Sequence, residues 1–212
     1  MLFRFCISFT ILIGVALILF LLTVRIVIEL MPSLLATTIR WKESLNLEAS
    51  VKLSRDRNLI ALCSTVPFCL TSFAFNLYNP AFLSRFAPDA QLWIFVGIFG
   101  AFFAVRSALE HMLRPRRIQA KAYKAIVSVG YSFFIILTML LLLITCISDL
   151  FGISEEYTKN AMLWISGLIY LLYIIRKLQI FNSFSSFFAG FLYLCALEIL
   201  PTGVLVTSAV IF

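Results

Sequence analysis

The stretch FCISFTILIGVALILFLLTVRIVI, residues 5–28, decides the fold. Its only charge is Arg25, near the far end. A helix needs about 20 apolar residues to cross a hydrocarbon core of about 30 Å. The run is too long for the apolar region of a secretory signal, and no A-x-A cleavage site follows it. We read it as a retained membrane span.

The rest of the chain agrees with that solvent. Its 212 residues are 62% hydrophobic and 13% charged, with a mean hydropathy of +1.05. Soluble domains run at about 45–50% apolar and about 25% charged. Five further apolar segments follow, at residues 59–78, 91–112, about 126–147, about 161–178 and 187–212. The expected fold is all-α, a polytopic bundle of six transmembrane helices. Residues 1–33 hold the first span and its flank, and residues 59–212 a five-span bundle. Between them, residues 34–58 mix Leu and Val with both charge signs. That pattern fits a cytoplasmic amphipathic connector lying on the leaflet, or a solvated loop.

Lysine and arginine set the orientation. With six spans, one side holds only Arg4, Arg85 and Lys159. The other side holds Arg40, Lys42, Lys52, Arg55 and Arg57, then Arg114, Arg116, Arg117, Lys121 and Lys124, then Arg176 and Lys177. The basic side is cytoplasmic, so both termini are expected outside. The net charge of +7 and the pI of 9.4 are then loop charge, not a nucleic-acid footprint. The segment RPRRIQAKAYK, residues 114–124, is a polybasic loop, read as topological or as a contact for anionic headgroups through Arg114, Arg116, Arg117, Lys121 and Lys124.

Other chemistries lack their residues. The five cysteines, Cys6, Cys63, Cys69, Cys146 and Cys195, form no CxxC, and His111 is the one histidine. We expect no metal, no cofactor and no disulfide framework. No P-loop, GxSxG or HExxH occurs. The pair Glu155-Glu156 superficially suggests an intramembrane protease motif. Asn160 stands where that motif has arginine, and no histidine motif follows.

Two patterns inside the spans carry more. Gly97, Gly100, Ala101, Ala104 and Ala108 fall on one face of a helix, a small-residue stripe that lets another helix approach closely. Arg106 lies on the opposite face with Glu110 four residues on, a spacing that lets the two pair. The second pattern is Glu198, near the midplane of the last span and three residues before Pro201. A charged carboxylate there costs several kcal/mol. Proline has no N–H, so a kink with a free carbonyl is expected beside it. Glu198 can hold a proton or a cation, bond a neighbouring helix or partner subunit, or pair with Arg106. Arg106 sits about 9 Å nearer the cytoplasm by helical rise.

The C-terminal stretch RKLQIFNSFSSFFAGFLYLCALEILP, residues 176–201, resembles the end of an uncharacterised family of Bacteroidota inner-membrane proteins that closes on Tyr-Leu-Cys-x-x-Glu-Ile-x-Pro. Tyr193, Leu194, Cys195, Glu198, Ile199 and Pro201 carry that signature. The resemblance covers roughly the last thirty residues and implies a bacterial cytoplasmic membrane and a multi-pass topology, with no activity. The expected function is a non-enzymatic membrane component, an accessory or scaffold subunit whose partners are lipids and other membrane proteins or copies of itself. The alternative is a small proton- or cation-coupled transporter or channel using Glu198. The candidate polar site is Glu198, Pro201, Tyr193 and Arg106.

Overall fold

A computed structural model describes residues 7–77, 86–112, 120–184 and 187–211. Among them there is no strand. The helices are α1 (Ile7–Ile39), α2 (Trp41–Ala49), α3 (Val51–Ala74), α4 (Pro88–Met112), α5 (Ala120–Phe151), α6 (Glu155–Phe184), α7 (Phe187–Leu194) and α8 (Leu200–Ile211). A π-helical turn, Cys195–Ile199, joins the last two.

Five of these are long and apolar enough to cross a membrane: Thr10–Ile39, Val51–Ala74, Ala90–Glu110, Tyr123–Phe151 and Glu155–Phe184. The chain is a multi-pass membrane protein built on them. The expected sixth span is a broken helix, with a shorter apolar stretch over Gly190–Val204.

The helices are longer than their apolar runs. α1 continues through Pro32 to Ile39. One extended residue, Arg40, then separates it from α2, and another, Ser50, separates α2 from α3. The Ser50 hydroxyl accepts from the Leu53 N–H, a helix N-cap. So the connector is helical. α2 turns Ser44 and Leu47 into the bundle. Pro67 lies inside α3, and Thr71 donates its hydroxyl to the Pro67 carbonyl at 2.7 Å.

Helix ends are closed by left-handed residues. Asn76 has φ 49° after α3, and Gly152 has φ 61° after α5. Leu77 N–H then reaches the Ser72 carbonyl, and Ile153 N–H the Ser148 carbonyl, each at 3.0 Å. Both are the six-to-one closure of a helix C-terminus.

α5 is central. With α1 and α3 it buries Val27, Leu30, Leu34, Ile60 and Ile135. Against α3, α4 and α6 it packs an aromatic cluster in which Phe68 meets Phe99 and Phe134 edge-on, at 5.4 and 5.1 Å between centroids. Against α6 and α7 it buries Ile126, Phe133, Tyr173 and Phe181. Gly190 lets α7 close on α6, since a Cβ there would lie 2.8 Å from the Phe181 ring.

Candidate functional site

The π turn sets the geometry of the site. Pro201 has no N–H and crowds the carbonyl four residues back, so the preceding turn widens. The Leu200 N–H reaches back five residues to the Cys195 carbonyl. Glu198 lies in this wide turn and is 1% exposed. The expected single free carbonyl beside a proline kink is thus a whole widened turn. Within it the Glu198 carbonyl accepts from the Tyr170 hydroxyl at 3.2 Å.

The Glu198 carboxylate faces two cations. Lys177 Nζ of α6 donates to Oε1, and Arg106 Nη2 of α4 donates to the same oxygen at 3.1 Å. Glu110 Oε1 lies 3.5 Å from Lys177 Nζ and 3.6 Å from Arg106 Nε, as ion pairs without a hydrogen bond. Tyr173 sits between the cations. Its hydroxyl accepts from Arg106 at 2.6 Å and from Lys177 at 3.1 Å. Both cationic centres also stand 5.6 Å from its ring centroid. The cluster therefore balances two cations against two carboxylates, and Lys177 is 0% exposed. Burial of such charges is tolerated only when each is paired and hydrogen-bonded.

Sequence brings the members together by helical spacing. Tyr170, Tyr173 and Lys177 repeat on one face of α6, and Arg106 and Glu110 stack on α4. Gly130 of α5 leaves the gap through which Arg106 passes. A Cβ there would lie 2.9 Å from Arg106 Nη2.

Of the residues singled out from sequence, Glu198 and Arg106 meet. Pro201 shapes the turn. Tyr193 lies apart, its ring stacked on Phe181 at 5.1 Å, with no hydrogen bond to the four charges. Sequence alone does not gather Lys177, Tyr173 and Tyr170 into a cluster. Arg176 and Lys177, counted with the cytoplasmic loops for orientation, both lie within α6. The apolar pair Ile180 and Phe181 beyond them is the sequence sign that the helix continues. Arg176 donates to the carbonyls of Thr38 and Ile39 at 2.8 and 2.7 Å, closing the end of α1.

The small-residue stripe faces outward. Gly97, Gly100, Ala101, Ala104 and Ala108 are all exposed, and nothing among the described residues lies within 4 Å of a Cβ at either glycine. No described helix of this chain fills it. Arg114, Arg116 and Arg117 lie outside the described residues, and Lys121 is placed on α5 only by its backbone. Lys124 does not stand alone at the surface, because its Nζ lies 2.9 Å from Glu48 Oε1.

That contact belongs to a second cluster. The Glu48 carboxylate of α2 also accepts from Arg57 Nη2 at 2.9 Å, Ser128 at 2.9 Å and Ser54 at 3.1 Å. Burial pushes its pKa up, but Lys124, Arg57 and Ser128 outweigh that and hold it below the ordinary value. The cluster ties α2 to α3 and α5.

A cavity of about 950 Å³ opens beside the first cluster, between α4 on one side and α3, α5, α6 and α8 on the other. Phe99, Phe102, Phe103 and Phe134 line one part, and Arg106, Glu110, Tyr170 and Tyr173 another. No three His, Cys, Asp or Glu side chains among the described residues are placed to hold a metal ion.

The chain belongs to the family defined by a domain of unknown function, DUF4271, whose model matches residues 9–208. No curated protein and no solved structure matches it.

Proposed function

We propose that the chain is a non-enzymatic component of a membrane assembly, an accessory or scaffold subunit. Through α4 it meets a helix of another subunit or of a second copy of itself. The exposed stripe of Gly97, Gly100, Ala101, Ala104 and Ala108 supports this reading. Other exposed positions carry large side chains, such as Leu17, Leu21, Leu22 and Trp164. A face that meets only lipid has no use for small residues, whereas close helix approach does. Glu198 serves the chain's own architecture here, because its charge is answered internally.

Around this role we place six spans, with residues 187–211 crossing in spite of the π turn, and both termini outside the cytoplasm. The membrane is the cytoplasmic membrane of a Bacteroidota cell, with the basic segment 114–124 at anionic headgroups. The distribution of Lys and Arg supports the orientation. The C-terminal signature supports the host. No cofactor and no nucleic acid enters this role.

The test is extraction in a mild detergent followed by native gel analysis. The wild-type chain should migrate in a particle larger than its monomer. Gly100→Leu with Ala104→Leu should release the monomer at unchanged thermal stability, since both positions are exposed and a Cβ at Gly100 meets nothing among the described residues. An assembly of unaltered size in the double variant would refute the reading.

The second reading is a small proton- or cation-coupled transporter or channel. The position of the charge cluster at the edge of a large cavity favours it. In that case Glu198→Gln abolishes an ion-dependent phenotype and leaves the assembly whole.

A further inference from the structure

We propose that the cavity between α4 and the α3–α5–α6 body is a binding site for an amphiphile with a neutral, oxygen-bearing head and an apolar tail, the class of a diacylglycerol. The head lies at Arg106 and along the polar face of α6. The tail runs among Phe102, Phe103, Phe134 and Leu163. The inference does not depend on the subunit reading.

Size and lining come first. A volume of about 950 Å³ is at the upper end of small-molecule sites, which span about 300–1,000 Å³. Its walls are mainly aromatic and aliphatic, and Arg106, Glu110, Tyr170 and Tyr173 are drawn together by their own contacts at one part of it. That is the shape of a molecule with one polar end.

The polar groups have capacity to spare. Ser166 lines the cavity, is only 6% exposed, and its Oγ has no hydrogen-bond partner among the described residues. A serine in an apolar helix ordinarily bonds the carbonyl one turn back, as Ser33 does with Leu30 at 2.7 Å. An orphaned buried hydroxyl costs free energy until something bonds it. Ser166, Tyr170 and Tyr173 follow one another down the same face of α6. At its foot, Arg106 is 19% exposed in an otherwise closed cluster. Its two hydrogen bonds within the chain both leave from Nη2, and no bond from Nη1 occurs among the described residues. The site thus offers donors to oxygen acceptors at more than one depth.

Charge selects the head. Arg106 and Lys177 are already matched by Glu110 and Glu198. A charged head would leave one uncompensated charge in a low-dielectric site. Ester carbonyls and a hydroxyl accept from Arg106 and Ser166 without that cost.

The test uses the full chain in nanodiscs and a diacylglycerol whose acyl chain carries a photoactivatable diazirine. Phosphatidylglycerol with the same acyl chain is the anionic comparator. Cross-links should concentrate on peptides holding Phe103 and Leu163, and excess unlabelled diacylglycerol should suppress them. Ser166→Trp, which plugs the cavity, should lower them about tenfold. Cross-links on the outer face of α1, at Leu17 and Leu21, should not change. Leu163→Trp plugs the same space from a half-exposed position and decides the matter if Ser166→Trp does not fold. Cavity labelling no stronger than on α1, labelling that survives the plug in a folded variant, or equal labelling by phosphatidylglycerol would each overturn the proposal.

Discussion

Lys177 and Glu198 form an ion pair sealed from solvent on both sides, joining α6 to the widened turn of the helix that follows it. The pair closes a helical hairpin from within. Because both charges are buried, removing one partner costs more than removing both.

Lys177→Met should therefore destabilise the protein by about 3–5 kcal/mol, the usual range for orphaning a buried partner. Lys177→Met with Glu198→Leu should be clearly more stable than the sum of the two single changes predicts. It leaves Arg106 with Glu110, one cation with one carboxylate. Thermal unfolding of all four proteins in detergent measures the coupling. Additive losses would show that the two side chains do not depend on each other.

Gly130→Ala forces a methyl group to within 2.9 Å of Arg106 Nη2. The guanidinium, the mobile end of its side chain, must shift against its bonds to Tyr173 and Glu198, and a loss of about 1 kcal/mol is expected. Gly97→Ala is the control. Its new methyl meets nothing among the described residues, so the isolated chain should be unchanged or gain up to about 1 kcal/mol of helix propensity.

Glu48 gives stability a defined acid dependence. Its folded pKa lies below the ordinary value of 4.5. The unfolded chain then takes up the proton first as pH falls. The contribution of the α2 cluster is full above 4.5 and disappears as pH drops through the folded value. Melting temperature followed from pH 7 to pH 3 should separate wild type from Glu48→Gln at the neutral end and bring them together at the acid end. A constant gap would place the stabilisation elsewhere.

Arg176→Gln removes the bonds to the Thr38 and Ile39 carbonyls and a positive charge from the end of α1. About 1 kcal/mol should be lost. Amide exchange should quicken in the last turn of α1 and remain unchanged in α5.

Hydropathy made the five long helices legible, because period and length survive in any bundle. It did not make Lys177 legible. A lysine beside an arginine at the end of an apolar run reads as a loop. Only the burial of Ile180 and Phe181 under α7 carries the helix past it. Helical rise placed Arg106 within reach of Glu198, but the second cation and Tyr173 depend on how α6 is rotated, which periodicity leaves open. The stripe on α4 was visible as a pattern, yet its outward direction is a property of the tertiary fold. The connector mixes charge signs because Glu48 pairs with Arg57 and accepts from Ser128 of α5, a long-range pairing that local composition does not encode.

The turn at Cys195–Ile199 is in effect one residue threaded into an α-helix. Wound as an unbroken α-helix, the same residues would put everything after this turn about 100° out of phase with everything before it. Gly190 and Tyr193 meet Phe181 while Thr202 and Val206 border the cavity because the wide turn absorbs that residue. An even α pitch through the same sequence would swing one of these sets away, with no change in hydrophobicity. The spacing of this segment is therefore as constrained as its composition. Insertions and deletions among relatives should fall in the connections between helices and spare these five positions.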